Sequence, residues 1–188
     1  PQPRPAGRPA PAPAPAHHAI EPLENFPPND IARLARADII ASVQPRHITL
    51  DPGGPERDLG PERVPYMWPF RTLLDSGATL AFGTDSPVTD IDPIDAVYTA
   101  VTRRDADTHE PLGGWLPEER ITLAEALRAY TAGSAAAAQR ADELGQLAPG
   151  MFADITVLSP NPFKLAPDDL QQAKVQATYV AGKKAYER

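Results

Sequence analysis

The sequence lacks cysteine and is poor in histidine, and both shortages restrict the chemistry that it can perform. Its 188 residues include no Cys and four His. The absence of Cys excludes a disulfide framework and a thiolate metal site. Any bound metal must therefore be held by imidazole and carboxylate groups.

Positive charge and long apolar runs are also scarce. Lys and Arg number 18 against 25 Asp and Glu, so the formal net charge is −7. A protein that binds the phosphate backbone needs a basic face, and nucleic acid is not an expected partner. No apolar run is long enough to span a bilayer, and the first residues lack the apolar segment of a signal peptide. We therefore expect a cytoplasmic protein with no membrane partner.

Proline, in contrast, is abundant, and its distribution marks the first segment. Residues 1–16 read PQPRPAGRPAPAPAPA, a low-complexity stretch. This composition predicts a disordered tail or linker. A Pro-rich ligand motif is not indicated, because no Pro-x-x-Pro pair occurs in it.

The body of the chain shows the pattern of a parallel α/β protein. The apolar run at 39–43 and the run at 79–82 are typical of short buried strands. Between them, 70–76 predicts a helix that ends at Gly77. The Pro/Gly-rich stretch 51–65 is typical of a lid or binding loop. This order of strand, loop, helix and strand favours parallel topology.

Further elements are predicted from capping signals and turns. Asn29 and Asp30 are candidate caps for a helix through 31–35, and Asp92 is one for a helix that starts at Pro93. Thr122 and Glu125 have the spacing of a capping box. The last segment, with apolar runs at 152–158 and 175–180 and a turn at 181–182, predicts a small antiparallel unit.

The most informative run is TLAFGTDSPVT, residues 79–89. It places Asp85 just after a predicted buried strand. In α/β barrels, side chains at the carboxyl ends of parallel strands perform the chemistry. A carboxylate there is suited to binding a divalent metal or to transferring a proton. The alternative is a turn former or helix cap, which Asp often is.

Several motifs in order resemble the C-terminal part of the metal-dependent amidohydrolase superfamily. They are FGTDSPV, DPIDAVYTAVTRRD, GGWLPEERITLAEALRAYT, GQLAPGMFADITVLSPNPF and ATYVAGKKAYE. The branch that they resemble contains N-substituted formamide deformylases. The resemblance covers about residues 17–188.

This resemblance implies a fold and a division into domains. The expected fold is the C-terminal portion of a (β/α)8 TIM-type barrel, about strands 6–8, plus part of a small β-sandwich. Residues 17–140 would form the partial barrel and 141–188 the partial sandwich. The complete enzyme would use a divalent metal, for which zinc is expected.

The resemblance also assigns site residues. Asp85 matches the Asp after strand 8, which binds metal in the family and shuttles the proton of the attacking water. His47 matches a position after strand 7 and is expected to contact substrate, with a surface-loop histidine as the open alternative. Arg57 and Arg63 could pair with a substrate carboxylate, although solvated loop charges are the simpler interpretation.

The sequence also departs from the family pattern. Pro22 stands where the family has its last metal-binding His, and the ligands from earlier barrel strands have no counterpart here. A whole barrel takes about 250 residues. Residues 19–140 contain three predicted strands, a short one at 19–23 and the runs at 39–43 and 79–82. Open sheet edges are therefore expected. A truncated gene and a split protein completed by a partner chain both fit.

The functional prediction is metal-assisted hydrolysis of a non-peptide carbon–nitrogen bond in a small amide or N-formyl compound. The isolated chain is expected to be inactive. The alternative is a non-catalytic, degenerate or split fragment that acts only through a complementing or identical subunit. A nucleotide-binding domain is disfavoured because no phosphate-cradling Gly motif occurs.

Overall fold

The computed structural model describes residues 18–188, and the predicted tail at 1–16 lies outside this range. Its first sheet contains β1 (Ala19–Ile20), β2 (Ile40–Val43) and β3 (Leu80–Phe82). The strands are parallel and lie in the order β1-β2-β3. The predicted parallel α/β organisation is therefore confirmed.

Helices connect the strands and follow the sheet. They are α1 (Pro28–Arg36), α2 (Gly54–Leu59), α3 (Phe70–Asp75), α4 (Pro93–Thr102), α5 (Leu123–Arg128) and α6 (Ser134–Ala137). None of the helices within 18–188 is long and apolar enough to cross a membrane.

Two of the predicted caps form and one does not. The side chain of Asp92 accepts a hydrogen bond from the N–H of Ile94, 2.9 Å away, and Thr122 and Glu125 make a complete capping box. The prediction that Asn29 or Asp30 caps α1 is wrong, because both residues lie inside the helix. The cap position is Pro27, which has no side-chain hydrogen bond to offer.

The stretch 51–65 contains more regular structure than the sequence indicated. Residues 54–59 form α2, and Val64–Tyr66 form a short 3-10 helix. Pro55 fits the first turn of α2 because its missing N–H would have no partner there. Gly60, with φ of 76°, ends the helix.

The main hydrophobic core lies between one face of the first sheet and the helices. Because side chains alternate along a strand, Ala41 and Val43 of β2 share this face with Leu80 and Phe82 of β3. The helices contribute Ile31, Leu34, Phe70, Leu73, Val97, Ala100, Ala126 and Ala129 to the same core.

The outer edge of β3 is covered by a helical segment. A π-helical turn, Ala129–Gly133, joins α5 to α6, and α6 contacts both β2 and β3. Ser134 Oγ donates to the carbonyl of Phe82 at 2.9 Å. A Cβ placed on Gly133 would lie 1.9 Å from the carbonyl oxygen of Leu80. This edge is therefore covered at Leu80 and Phe82, which corrects the expectation of an open edge there. Both residues of β1 at the opposite edge are exposed, as expected.

The second sheet is antiparallel and contains β4 (Ile155–Ser159), β5 (Lys174–Val180) and β6 (Lys183–Glu187). Ala181 and Gly182 make the predicted turn, with φ of 50° and 77°. The terminal hairpin is therefore confirmed.

A 3-10 helix, Pro167–Gln172, attaches this second sheet to α4. Leu170 is buried against Tyr98 and Ala106. Gln171 Nε2 donates to Asp95 Oδ1 of α4 at 2.7 Å. The other carboxylate oxygen of Asp95 lies 3.3 Å from Arg46 Nη1, at the end of β2.

Candidate active site at the strand ends

Polar side chains gather where the three parallel strands end. Glu21 and Glu24 follow β1, Gln44 and His47 follow β2, and Asp85 follows β3. Because the carboxyl ends of parallel strands meet at one edge, residues far apart in sequence become neighbours there. The structure thus brings together both predicted site residues, His47 and Asp85.

His47 is the central residue of this group. It lies in the 3-10 helix Pro45–Thr49, and its side chain is 7% exposed. Its Nδ1 lies 2.7 Å from Glu24 Oε1. Its Nε2 lies 3.8 Å from Asp85 Oδ2 and is buried without a hydrogen-bond partner. The open alternative of a surface-loop histidine does not describe this buried ring.

Asp85 is held differently, in an open position. Its backbone adopts φ of 54°, in the left-handed region, and its carbonyl accepts a hydrogen bond from Val88 N at 2.8 Å. Its side chain is 53% exposed. The helix that follows is capped by Asp92, so Asp85 is not a helix cap. It combines a turn conformation with a half-exposed carboxylate.

A second polar pair supports the same edge. Gln44 Nε2 donates to Glu21 Oε1 at 2.9 Å, and Gln44 is 1% exposed. Sequence reasoning missed Glu21, Glu24 and Gln44. The available signal was the two Glu residues on either side of Pro22 and Leu23, directly after a short apolar pair.

The residues present do not complete a divalent-metal site. Across residues 18–188, no group of three or more His, Asp and Glu side chains is placed to hold a metal ion. Pro22, at the end of β1, has no ligand atom. Catalytic zinc sites use three protein ligands, and of the two predicted site residues only Asp85 was assigned to the metal.

Among the described residues, neither arginine of the 51–65 stretch pairs with a member of this cluster. Arg57 pairs with Asp58 at 2.8 Å and with Asp51 at 2.7 Å. These hydrogen bonds raise the pKa of Arg57 above the ordinary value of an arginine. Arg63 borders a hollow beside Phe26 and Tyr66. The arrangement fits solvated loop charges, and a substrate contact by either residue stays a prediction.

A cleft of about 420 Å³ lies beside the 3-10 helix that carries His47. Its lining includes Ile48, Thr49, Asp51, Glu56, Asp105, Glu110 and Trp115. Trp115 Nε1 donates to Glu56 Oε1 at 2.9 Å. Gly114 has a packing role, because a Cβ there would lie 2.3 Å from the carbonyl of Thr102.

Comparison with known proteins decides the family. A sequence model of the Amidohydrolase family matches residues 7–186. The chain belongs to the amidohydrolase family. Membership in it was predicted from the motifs around Asp85 and is confirmed.

Two curated relatives and one solved structure illustrate this membership. The chain is 39% identical over 168 residues to Protein LONG AFTER FAR-RED 3 of Arabidopsis thaliana, covering 89% of this chain and 28% of that protein. It is 35% identical over 122 residues to the N-substituted formamide deformylase of Arthrobacter pascens, covering 65% and 22%. An uncharacterized metal-dependent hydrolase from Pyrococcus horikoshii OT3 is 32% identical with a TM-score of 0.63, covering 71% and 26%.

The chain therefore spans between a fifth and three tenths of the length of these relatives. The likeness in fold to a metal-dependent hydrolase agrees with a part of the amidohydrolase fold.

Proposed function

We propose that this amidohydrolase chain is the C-terminal part of a metal-dependent hydrolase that cleaves a non-peptide carbon–nitrogen bond in a small amide or N-formyl compound. The supporting observation is the proximity of His47 and Asp85, whose Nε2 and Oδ2 atoms lie 3.8 Å apart at the carboxyl edge of a parallel sheet. In this proposal residues 17–140 are barrel strands 6–8 with their helices, and 141–188 are part of a β-sandwich.

Asp85 is the proposed catalytic residue and the proposed metal ligand. Its exposed carboxylate is suited to accept the proton of an attacking water, a role that contributes about 10²–10⁴-fold to a rate. His47, buried and oriented by Glu24, is the proposed substrate contact. Asp85 is the one metal ligand that we assign to this chain, so we propose that it is inactive by itself. Zinc is the expected metal, and a complementing or identical subunit is the proposed source of further ligands.

The alternative is a degenerate or split fragment without catalysis of its own. Pro22, at the position of the family's last metal-binding His, favours it. It is also supported by the absence, within the part of the chain that the structure describes, of three side chains placed to bind one metal ion.

A chimera separates the two proposals. Residues 18–188 would replace the matching part of the Arthrobacter deformylase, and formate release and bound zinc would be measured. We expect low activity, a strong gain from Pro22→His, and loss of that gain, by about 10²–10⁴-fold, when Asp85→Asn is added. Asp142→Asn, an exposed carboxylate outside the cluster, is the matched control.

Two outcomes would contradict the enzymatic proposal. One is a folded, zinc-loaded Pro22→His chimera that releases no formate or amine from any amide offered. The other is full activity after Asp85→Asn. Zinc analysis of the isolated chain after dialysis adds a further check: near-stoichiometric zinc that disappears in Asp85→Ala would show that a site is completed between subunits.

A further inference from the structure

We propose that the cleft beside the 3-10 helix Pro45–Thr49 binds a small organic cation of the quaternary ammonium class. Its volume of about 420 Å³ lies within the range of small-molecule sites. Three features support the proposal: a tryptophan wall held in place, a largely apolar surface, and charged side chains that are all acidic. Neither Asp85 nor His47 belongs to the lining, so the proposal is independent of the hydrolase reaction.

One wall of the cleft is Trp115, which several contacts hold in one orientation. Its N–H donates to the carbonyl of Arg103 at 2.8 Å, and Arg103 Nε donates to the carbonyl of Trp115 at 3.0 Å. The indole packs edge-on against Trp68, with 5.9 Å between ring centroids, and its Nε1 donates to Glu56 at 2.9 Å. A wall fixed before binding lowers the entropy cost of association, and tryptophan attracts cations more strongly than other aromatic rings.

Every charged side chain in the lining is acidic. The four are Asp51, Glu56, Asp105 and Glu110. Arg57 pairs with the first of them at 2.7 Å and offsets its charge. The guanidinium of Arg103 lies 5.5 Å from the ring centroid of Trp115, but Arg103 is fully buried and does not belong to the lining. A cation is therefore the ligand that the charge of this cleft favours.

The carboxylates other than Asp51 accept hydrogen bonds from neutral donors, which leaves their charge in place. Asp105 accepts from the N–H of Thr108 at 2.8 Å, and Glu110 accepts from the N–H of Leu112 at 2.8 Å. Partial burial raises the pKa of Asp105, but hydrogen bonds, led by that from the Thr108 N–H, outweigh it and hold the pKa below its usual value. The negative potential is thus present before a ligand binds.

The apolar part of the lining selects a quaternary cation over one that carries N–H groups. Besides Trp115, it includes Ile48, Pro52, Pro55 and Pro111. These side chains offer no hydrogen-bond acceptor. A primary ammonium has three donors, and removing them from water without new acceptors is costly. A quaternary nitrogen has no N–H, and its alkyl groups present the charge through an apolar surface that matches the walls.

Binding of three small probes to the full 188-residue chain tests the proposal. Choline carries a quaternary ammonium, ethanolamine a primary one, and 3,3-dimethylbutan-1-ol is the uncharged carbon isostere of choline. Proton–nitrogen correlation spectra follow the indole N–H of Trp115, one of two tryptophans, and Trp115→Phe identifies its signal. We expect choline to shift this signal with a Kd in about the millimolar range, and the other two probes to bind about tenfold more weakly.

Two charge variants should change the Kd of choline in opposite directions. Glu56→Gln can still accept from Trp115 but removes a negative charge, and it should weaken binding about threefold. Arg57→Gln leaves Asp51 without its cation and should tighten binding about twofold to threefold. Damage to α2 would weaken binding in both variants, so the gain cannot come from misfolding. Asp142→Asn, an equal change of charge outside the cleft, is the matched control and should leave the Kd unchanged.

Four results would overturn the proposal. The first is a Trp115 signal that does not move up to about 100 mM choline. The second is equal binding of 3,3-dimethylbutan-1-ol, which would make the cleft a site for neutral apolar molecules. The third is equal or tighter binding of ethanolamine, which would assign it to cations with N–H groups. The fourth is weaker choline binding in an Arg57→Gln chain with a native circular dichroism spectrum. These readouts involve no hydrolysis, so the two proposals can fail separately.

Discussion

Replacing Gly133 by Ala tests the packing of the helical segment against the edge of β3. Gly133 has helical backbone angles, φ −63° and ψ −50°. Helix propensity alone predicts that Ala stabilises such a position by about 1 kcal/mol. The structure predicts the opposite sign, because the new Cβ would lie 1.9 Å from Leu80 O and 3.0 Å from Leu80 C.

The expected magnitude follows from what has to move. Both obstructing atoms are backbone, so the helix or the strand must shift by about 1 Å, and such overpacking typically costs about 1–3 kcal/mol. The shift also strains the adjacent hydrogen bond from Ser134 to Phe82, worth about 1 kcal/mol. After the propensity gain, we expect a net loss of about 1–3 kcal/mol and a Tm lower by about 2–4 °C for each kcal/mol.

Urea unfolding with matched controls measures this effect. Ala132→Gly, on the same helical segment, gives the propensity contribution alone, a loss of about 1 kcal/mol. Gly54→Ala places a Cβ 2.3 Å from the carboxylate of Asp51, a flexible exposed side chain that can rotate away, so its loss should be smaller. A Gly133→Ala chain as stable as the parent, or more stable, would refute the close contact with β3.

Three further predictions concern stability. Partial burial raises the pKa of Glu125, but hydrogen bonds from Thr122 and Arg71 outweigh it and hold the pKa below its usual value. This stabilisation is present above about pH 4.3 and is lost as the pH falls through the folded pKa. The difference in unfolding free energy between the parent and Glu125→Gln, measured in urea, should therefore disappear below pH 4. An equal difference at pH 2.5 would contradict this. Arg103→Met should cost about 2 kcal/mol in urea unfolding, because it removes the guanidinium's hydrogen bonds to the carbonyls of Trp68 and Trp115, each worth about 1 kcal/mol. The exposed Arg33→Met should change stability by less than about 0.5 kcal/mol. Asp92→Ala removes the cap of α4 and should lower the unfolding free energy by about 1 kcal/mol. The exposed Asp142→Ala, away from α4, should show no comparable loss.

Local signals in the sequence were sufficient for the parallel strands and for two helix caps. Apolar runs bounded by Gly and Pro predicted β2 and β3, because such strands are buried on both faces. The spacing of Thr122 and Glu125 predicted the start of α5, because the capping box is formed within four residues. α2 was missed because Pro and Gly, usual loop formers, occupy its first turn.

Features that depend on distant contacts could not be predicted. Glu24 and His47 are 23 residues apart, and their contact exists only after β1 and β2 pair. Arg103 is fully buried although arginine is usually exposed. Its guanidinium lies 5.2 Å from the ring centroid of Phe70 and 5.5 Å from that of Trp115, and burial lowers its pKa to about 10. The roles of Asp85 and His47 stay predictions, although the structure places the two side by side.

The carboxylate of Asp95 links regions that the sequence suggested treating as separate units. One of its oxygens accepts from Gln171, and the other lies beside Arg46, the residue directly before His47. A tag, fusion partner or truncation that displaces the C-terminal sheet would therefore also disturb the segment that holds the imidazole of His47. Variants of this chain prepared for chemistry at the strand ends should keep residues 155–188 and carry no C-terminal tag.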